Sequence, residues 1–169
     1  MRRLQIHSNL YDGKGSVLCD ARSTIRIAVK SPSRINTTEL GLDPNIFNNP
    51  ARFIAILQQG VSGKVLRRAL DQFDEQSLFE HAMGTDISGL EEYCSDTSLN
   101  RQSSEILLDT IRALDRICQV WESAELAKQW LHSSLPTLGG AKPIDLFDTY
   151  EGRRWVKSLA DKIEFGDFS

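Results

Sequence analysis

The 169-residue chain, 40% hydrophobic and 25% charged, can bury one or two modest cores and is too apolar for wholesale disorder. No apolar run approaches the roughly 18 residues that span a bilayer, and Met1-Arg2-Arg3-Leu4-Gln5 leads into no apolar leader core, so a cytoplasmic protein with no membrane partner is expected. The net charge of −3 is uneven: residues 1–50 carry +3, residues 51–122 carry −5 and residues 123–169 carry −1, which leaves the middle of the chain without the basic field that supports non-specific nucleic-acid binding.

Cys19, Cys94 and Cys118 form no CxxC spacing and read as free thiols. His7, His81 and His132 lie far apart, with no HExxH. No convergent set of nucleophile, base and oxyanion donor stands out, so no enzyme, no metal and no cofactor is expected.

In chain order, the first 46 residues show little helical period. Ile25, Ile27 and Val29 alternate with Arg26, Ala28 and Lys30 as a half-buried strand would, and this arm is expected to be extended, a hairpin or disordered. Pro32, Gly41 and Pro44 mark a linker. Asn49 as cap and Pro50 at the first helical position open a helix that carries Phe53, Ile54 and Leu57 and stops at Gly60. Ser62 caps a second helix with Val65, Leu66, Ala69, Leu70 and Phe73 on one face. Asp74 is expected to cap a third, which holds Leu78, Phe79, Ala82 and Met83 and ends at Gly84. Ser88 and Glu91 form a capping-box pattern for a short fourth helix through Cys94. Helix, glycine-containing turn, helix is the spacing of a helix-turn-helix.

Asn100 to Trp121 reads as the longest helix, its Leu107, Ile111, Leu114, Cys118 and Trp121 forming a stripe that either the preceding helices or a second copy of the chain must cover. Ser123 caps a further helix with Leu126, Ala127, Trp130 and Leu131. A loop containing Gly139-Gly140 follows, read as a tight turn with positive φ. Pro143 begins a short turn, and Asp148 with Glu151 is expected to open a last helix that places Gly152, Val156, Leu159 and Ile163 on one face and stops at Gly166. Asp145 and Asp148 could pair for acid-base chemistry, but their places at helix starts favour capping.

The C-terminal third resembles the toxin-binding domain of the Xre/MbcA/ParS antitoxins. The resemblance rests on an ordered set: Ala127, Trp130 and Leu131; Leu138, Gly139, Gly140, Pro143, Asp145 and Leu146; Thr149, Gly152, Val156 and Leu159; then Phe165, Gly166 and Phe168. Residues 61–122 are similar, more loosely, to the Xre-type helix-turn-helix region of that family, including Leu99 to Glu105 ahead of the long helix. The expected fold is therefore mainly α: an N-terminal arm at 1–46, an Xre-like helix-turn-helix domain at 47–122, and a small helical toxin-binding domain at 123–169.

The resemblance implies a type II antitoxin whose partner is a RES-domain toxin that consumes NAD and is blocked when the antitoxin's C-terminal segment enters its active site; a homodimer is expected should a second copy cover the long helix's stripe. The candidate toxin-binding residues are Phe165, Gly166, Asp167, Phe168 and Ser169, with Arg153, Arg154 and Lys157 as a basic cluster that either meets an acidic toxin surface or is a solvated face. Phe165 and Phe168 are either anchors for that partner or core residues folded back on the Val156/Leu159 face. The family's repression of its own operon would need a recognition helix rich in Arg, Lys, Asn or Gln. Ser88 to Ser95 instead offers Gly89, Glu91 and Glu92, with Asp86 and Asp96 at its ends, so operator contact would fall to Arg67, Arg68, Arg101 and Arg112 or to the basic arm. The alternative function is an Xre-like transcription regulator with no toxin partner.

Overall fold

The computed structural model describes residues 34–165, and all regular structure among them is helical. Seven α-helices run in order: α1 Pro50–Gln59, α2 Gly63–Phe73, α3 Gln76–Met83, α4 Ile87–Ser95, α5 Arg101–Trp121, α6 Ala124–Leu131 and α7 Tyr150–Phe165. Two short 3-10 segments, Pro136–Leu138 and Pro143–Leu146, lie between α6 and α7. The mainly α, helical-bundle expectation is met. The alternating strand at Ile25–Val29 falls outside the described residues.

Most helix starts form where the expected caps stand. Asn49 Oδ1 accepts from the N–H groups of Ala51 and Arg52, Ser62 Oγ from Lys64, Asn100 Oδ1 from Ser103 and Ser123 Oγ from Leu126, each satisfying donors that a helix leaves without an internal partner. Three starts differ. Asp74 does not cap α3 but closes α2, in the left-handed conformation at φ 49°. Asp86, two residues before Ser88, caps α4 by accepting from the Gly89 N–H. Thr149 rather than Asp148 caps α7, its Oγ1 accepting from the Gly152 N–H at 3.1 Å. At α4 and α7 the difference is a choice among neighbouring cap-competent side chains, which spacing alone does not resolve, whereas α3 follows Glu75 with no side-chain cap.

Helix α5 is the axis of the molecule, touching α1, α3, α6 and α7, while α2 and α3 both pack on α4. Its Leu107, Ile111, Leu114 and Cys118 stripe is buried, as are the flanks of the stripe through Leu108, Ala113 and Ile117. The chain's own helices therefore cover the stripe, and a homodimer would have to use a different surface. Trp121 and Trp130 meet with ring centroids 6.1 Å apart, joining the end of α5 to α6.

Residues 34–49 form turns whose Ile35, Leu40, Leu42 and Ile46 enter the core, and the Ile35 N–H donates to Asp115 Oδ1 on α5 at 3.0 Å. A single apolar cluster from Ile35 to Ala160 crosses both expected boundaries, at 46/47 and 122/123.

Candidate functional site

Helix α7 is where the fold turns outward. Gly152, Val156 and Ala160 are buried against α5, with Leu159 and Ile163 packed beside them. Gly152 also lets the start of α7 lie close on the turn before it, since a Cβ there would overlap the carbonyl oxygen of Leu146. The capping turn and the 3-10 segment Pro143–Leu146 thus fix where α7 begins.

Arg153, one of the residues expected to bind the toxin, is largely enclosed by its own fold. Its side chain is only 5% exposed: Nε donates to Asp109 Oδ2 at 2.9 Å and Nη1 to the Phe147 carbonyl at 2.7 Å. A guanidinium so enclosed is held in place by its own fold and presents little surface. Asp109 also binds Arg112, which lies one turn along α5 with its guanidinium 5.0 Å from the centroid of the Phe53 ring. One buried carboxylate therefore serves two guanidiniums.

Arg154 and Lys157 remain at the surface. Arg154 is 70% exposed and makes only a loose pair with Glu151 at 3.5 Å, while Lys157 is half-buried. Together with Asp109, Arg112, Tyr150 and Arg153 they line a hollow of about 240 Å³ between α5 and α7.

At the far end of α7, Arg116 of α5 binds both Glu164 and Asp161, and the hydrogen bonds it donates to those two carboxylates push its pKa further up. This clamp steadies the last turn. Phe165 follows directly and is 77% exposed, so it does not fold back on the Val156/Leu159 face. The other residues expected at this site, Gly166, Asp167, Phe168 and Ser169, lie outside the described residues, as does the Gly166 helix stop.

Sequence reading missed Tyr150 and Trp155, which are 55% and 49% exposed on α7. Their signal was available: on a 3.6-residue projection both fall away from the Gly152/Val156/Ala160 face, so two large rings occupy the polar side of an amphipathic helix. It also missed Asp109, whose place among the buried Leu107, Leu108 and Ile111 of α5 calls for a buried partner.

The expected DNA contacts are spread over two helices. Arg67 and Arg68 are exposed on α2 and Arg101 is exposed at the start of α5, while Arg112 is engaged with Asp109 and Phe53. Helix α4 turns Ile87, Ser88, Glu91 and Glu92 to solvent. Gly139 and Gly140 adopt φ of 67° and 91°, the tight turn read from the sequence, and the Asp145 carboxylate accepts from the Lys142 N–H. Burial raises the thiol pKa of Cys118 to about 11 and pushes that of Cys94 up as well. Among the described residues no three His, Cys, Asp or Glu side chains are grouped to hold a metal ion, and no helix is long and apolar enough to cross a membrane.

Exposed rings and cations on one rigid helix are the equipment of a protein-binding module. Comparison with known proteins gives that module a family. Residues 118–166 match the sequence family described as the antitoxin Xre/MbcA/ParS C-terminal toxin-binding domain. The chain is also 26% identical over 132 residues to the Prs ADP-ribosylating antitoxin of Sphingobium sp. (strain YBL2), an alignment covering 72% of this chain and 83% of that protein. Together these matches support an Xre/MbcA/ParS family antitoxin, the resemblance carried by the C-terminal motifs, and with it an antitoxin role toward a cognate toxin.

Proposed function

We propose that this chain neutralises a RES-domain, NAD-consuming toxin by laying α7 against it and placing the C-terminal segment from Phe165 to Ser169 in its active site. The observation that carries the reading is Phe165, 77% exposed at the end of a clamped helix in a domain matched to toxin binding. An exposed ring on a rigid mount loses little entropy on docking, which is how aromatic anchors come to dominate interface energies. Asp167 would bring negative charge next to Phe165 and Phe168, a pairing suited to a pocket built for a nucleotide's phosphate and base. The relative's name, with its reference to ADP-ribosylation, fits a partner of NAD chemistry. Arg154 and Lys157 are proposed as further toxin contacts.

Repression of its own operon is the weaker part of the reading. With Glu91 and Glu92 outward on α4, DNA contact would run through Arg67, Arg68, Arg101 or the basic arm. Co-expression with the product of the adjacent gene, using the full chain and a chain lacking residues 164–169, tests the main proposal. Growth should be rescued by the former and lost with the latter; rescue by both would refute a C-terminal mechanism.

A further inference from the structure

The hollow between α5 and α7 is a basic island on a chain of net charge −3. Arg112, Arg153, Arg154 and Lys157 line it, against the single carboxylate of Asp109. The two guanidiniums that share Asp109 already exceed it by one charge, and that excess lies at the floor of the hollow, where the low surrounding dielectric screens it least. Arg154 and Lys157 add two cations at the rim, offset only by the 75%-exposed Glu151 carboxylate, paired loosely with Arg154. A concave site with this surplus is complementary to an anion.

Its direction matters as much as its charge. At 100° per residue, Tyr150, Arg154, Lys157, Asp161 and Phe165 fall along one side of α7, a stripe of about 22 Å. Asp161 is occupied by Arg116, so the groups left to meet a partner are a ring, two cations and a ring. The basic hollow and Phe165 therefore face the same way, on a helix inside the segment matched to a toxin-binding domain.

We propose that the hollow receives an aspartate or glutamate side chain from the toxin, and that this contact sets the register in which Phe165 and the following residues reach the active site. The proposal rests on the reading that α7 faces the toxin. Carboxylate–guanidinium pairing at the middle of the stripe would orient the helix, and the rings at its ends would exclude water from the contact. Nucleic acid is the disfavoured occupant, because the hollow is lined by α5 and α7 alone, without the exposed Arg67 and Arg68 of α2.

The test uses the full chain and the toxin encoded with it, with affinity and association rate measured from 50 to 500 mM NaCl for the wild type, R154E/K157E, R154Q/K157Q and Phe165→Ala. The exposed or half-buried positions of Arg154 and Lys157 make the double variants compatible with folding, checked by an unchanged melting curve. Expected results are a 10- to 100-fold weaker complex for R154E/K157E, about 10-fold for R154Q/K157Q, and a flattened salt dependence in both. Phe165→Ala should weaken binding while leaving the salt dependence intact. Wild-type affinity in both double variants, with binding lost on removal of residues 164–169, would overturn the hollow's role and leave the toxin reading standing. Absence of any complex with the wild type would overturn both. Unchanged toxin affinity alongside a loss of binding to a DNA duplex would transfer the hollow to nucleic acid and likewise overturn the proposal.

Discussion

Asp109 on α5 and Arg153 on α7 form a buried ion pair, with side chains 10% and 5% exposed and Nε 2.9 Å from Oδ2. The pair joins the central helix to the helix that carries the exposed rings. Because Arg112 draws on the same carboxylate, the two members are not equivalent. Replacing Asp109 by Asn leaves two guanidiniums without a counter-charge; replacing Arg153 by Met leaves Asp109 with Arg112 and removes a charge from the interior. Asp109→Asn is therefore expected to cost about 3–5 kcal/mol in urea unfolding and Arg153→Met clearly less. Equal losses would show that Arg112 does not share the carboxylate in solution.

The clamp at Arg116 should act locally. Its pairs with Asp161 and Glu164 are partly exposed, the acid side chains at 38% and 37%, so screening limits each to about 0–1 kcal/mol. Arg116→Ala is expected to lower global stability by about 1 kcal/mol at most while accelerating amide exchange in the last turn of α7. Toxin affinity should fall with that fraying. Exchange confined to its wild-type rate would mean the clamp does not steady Phe165.

Cys118 supplies a pH signature. Its thiol pKa is raised by burial from 9.0 to about 11, so the folded state favours the neutral form. The corresponding stability is fully present below about pH 9 and is lost as pH rises towards 11, amounting to about 2–3 kcal/mol by linkage. Comparison with Cys118→Ala isolates it: wild type should lose its advantage as pH rises from about 9 to about 11. A pH-independent difference between the two would contradict a buried thiol.

Two glycines that look alike in sequence should respond differently. Gly152→Ala must displace the Leu146 carbonyl, a backbone atom, and overpacking of this kind costs about 1–3 kcal/mol. Gly139 has open space around its missing Cβ, so Gly139→Ala carries only the strain of φ 67°, about 1–2 kcal/mol. Gly152→Ala should also weaken toxin binding, because it shifts α7 itself; thermal melts and binding assays on both variants decide the matter.

The helices were legible because their apolar positions recur at 3–4 residues and because Asn49, Ser62, Asn100 and Ser123 stand where caps form. Caps failed where several candidates are adjacent, as at Asp86 and Thr149. At the site, Phe165 could be anticipated from its place at the end of a helix, but its exposure could not. Arg153, Arg154 and Lys157 read as one basic cluster because sequence shows charge and not direction: the 100° step between Arg153 and Arg154 turns one into the core and the other to solvent. Finding Asp109 as the reason required knowing that α5 and α7 lie side by side, a pairing of residues 44 positions apart that no local pattern encodes.

The mechanism is tested most directly by the toxin's own activity. A variant that combines Phe165→Ala with removal of residues 166–169 leaves Asp161 and Glu164 in place for the Arg116 clamp, so α7 keeps its support. NAD turnover by the purified toxin, the activity proposed for it, would be titrated with this variant and with the full chain. Full-length antitoxin should abolish turnover at a stoichiometric ratio, whereas the variant should still bind through Arg154 and Lys157 but leave most turnover intact. Complete inhibition by the variant, at the same ratio, would contradict the claim that the C-terminal segment blocks the active site.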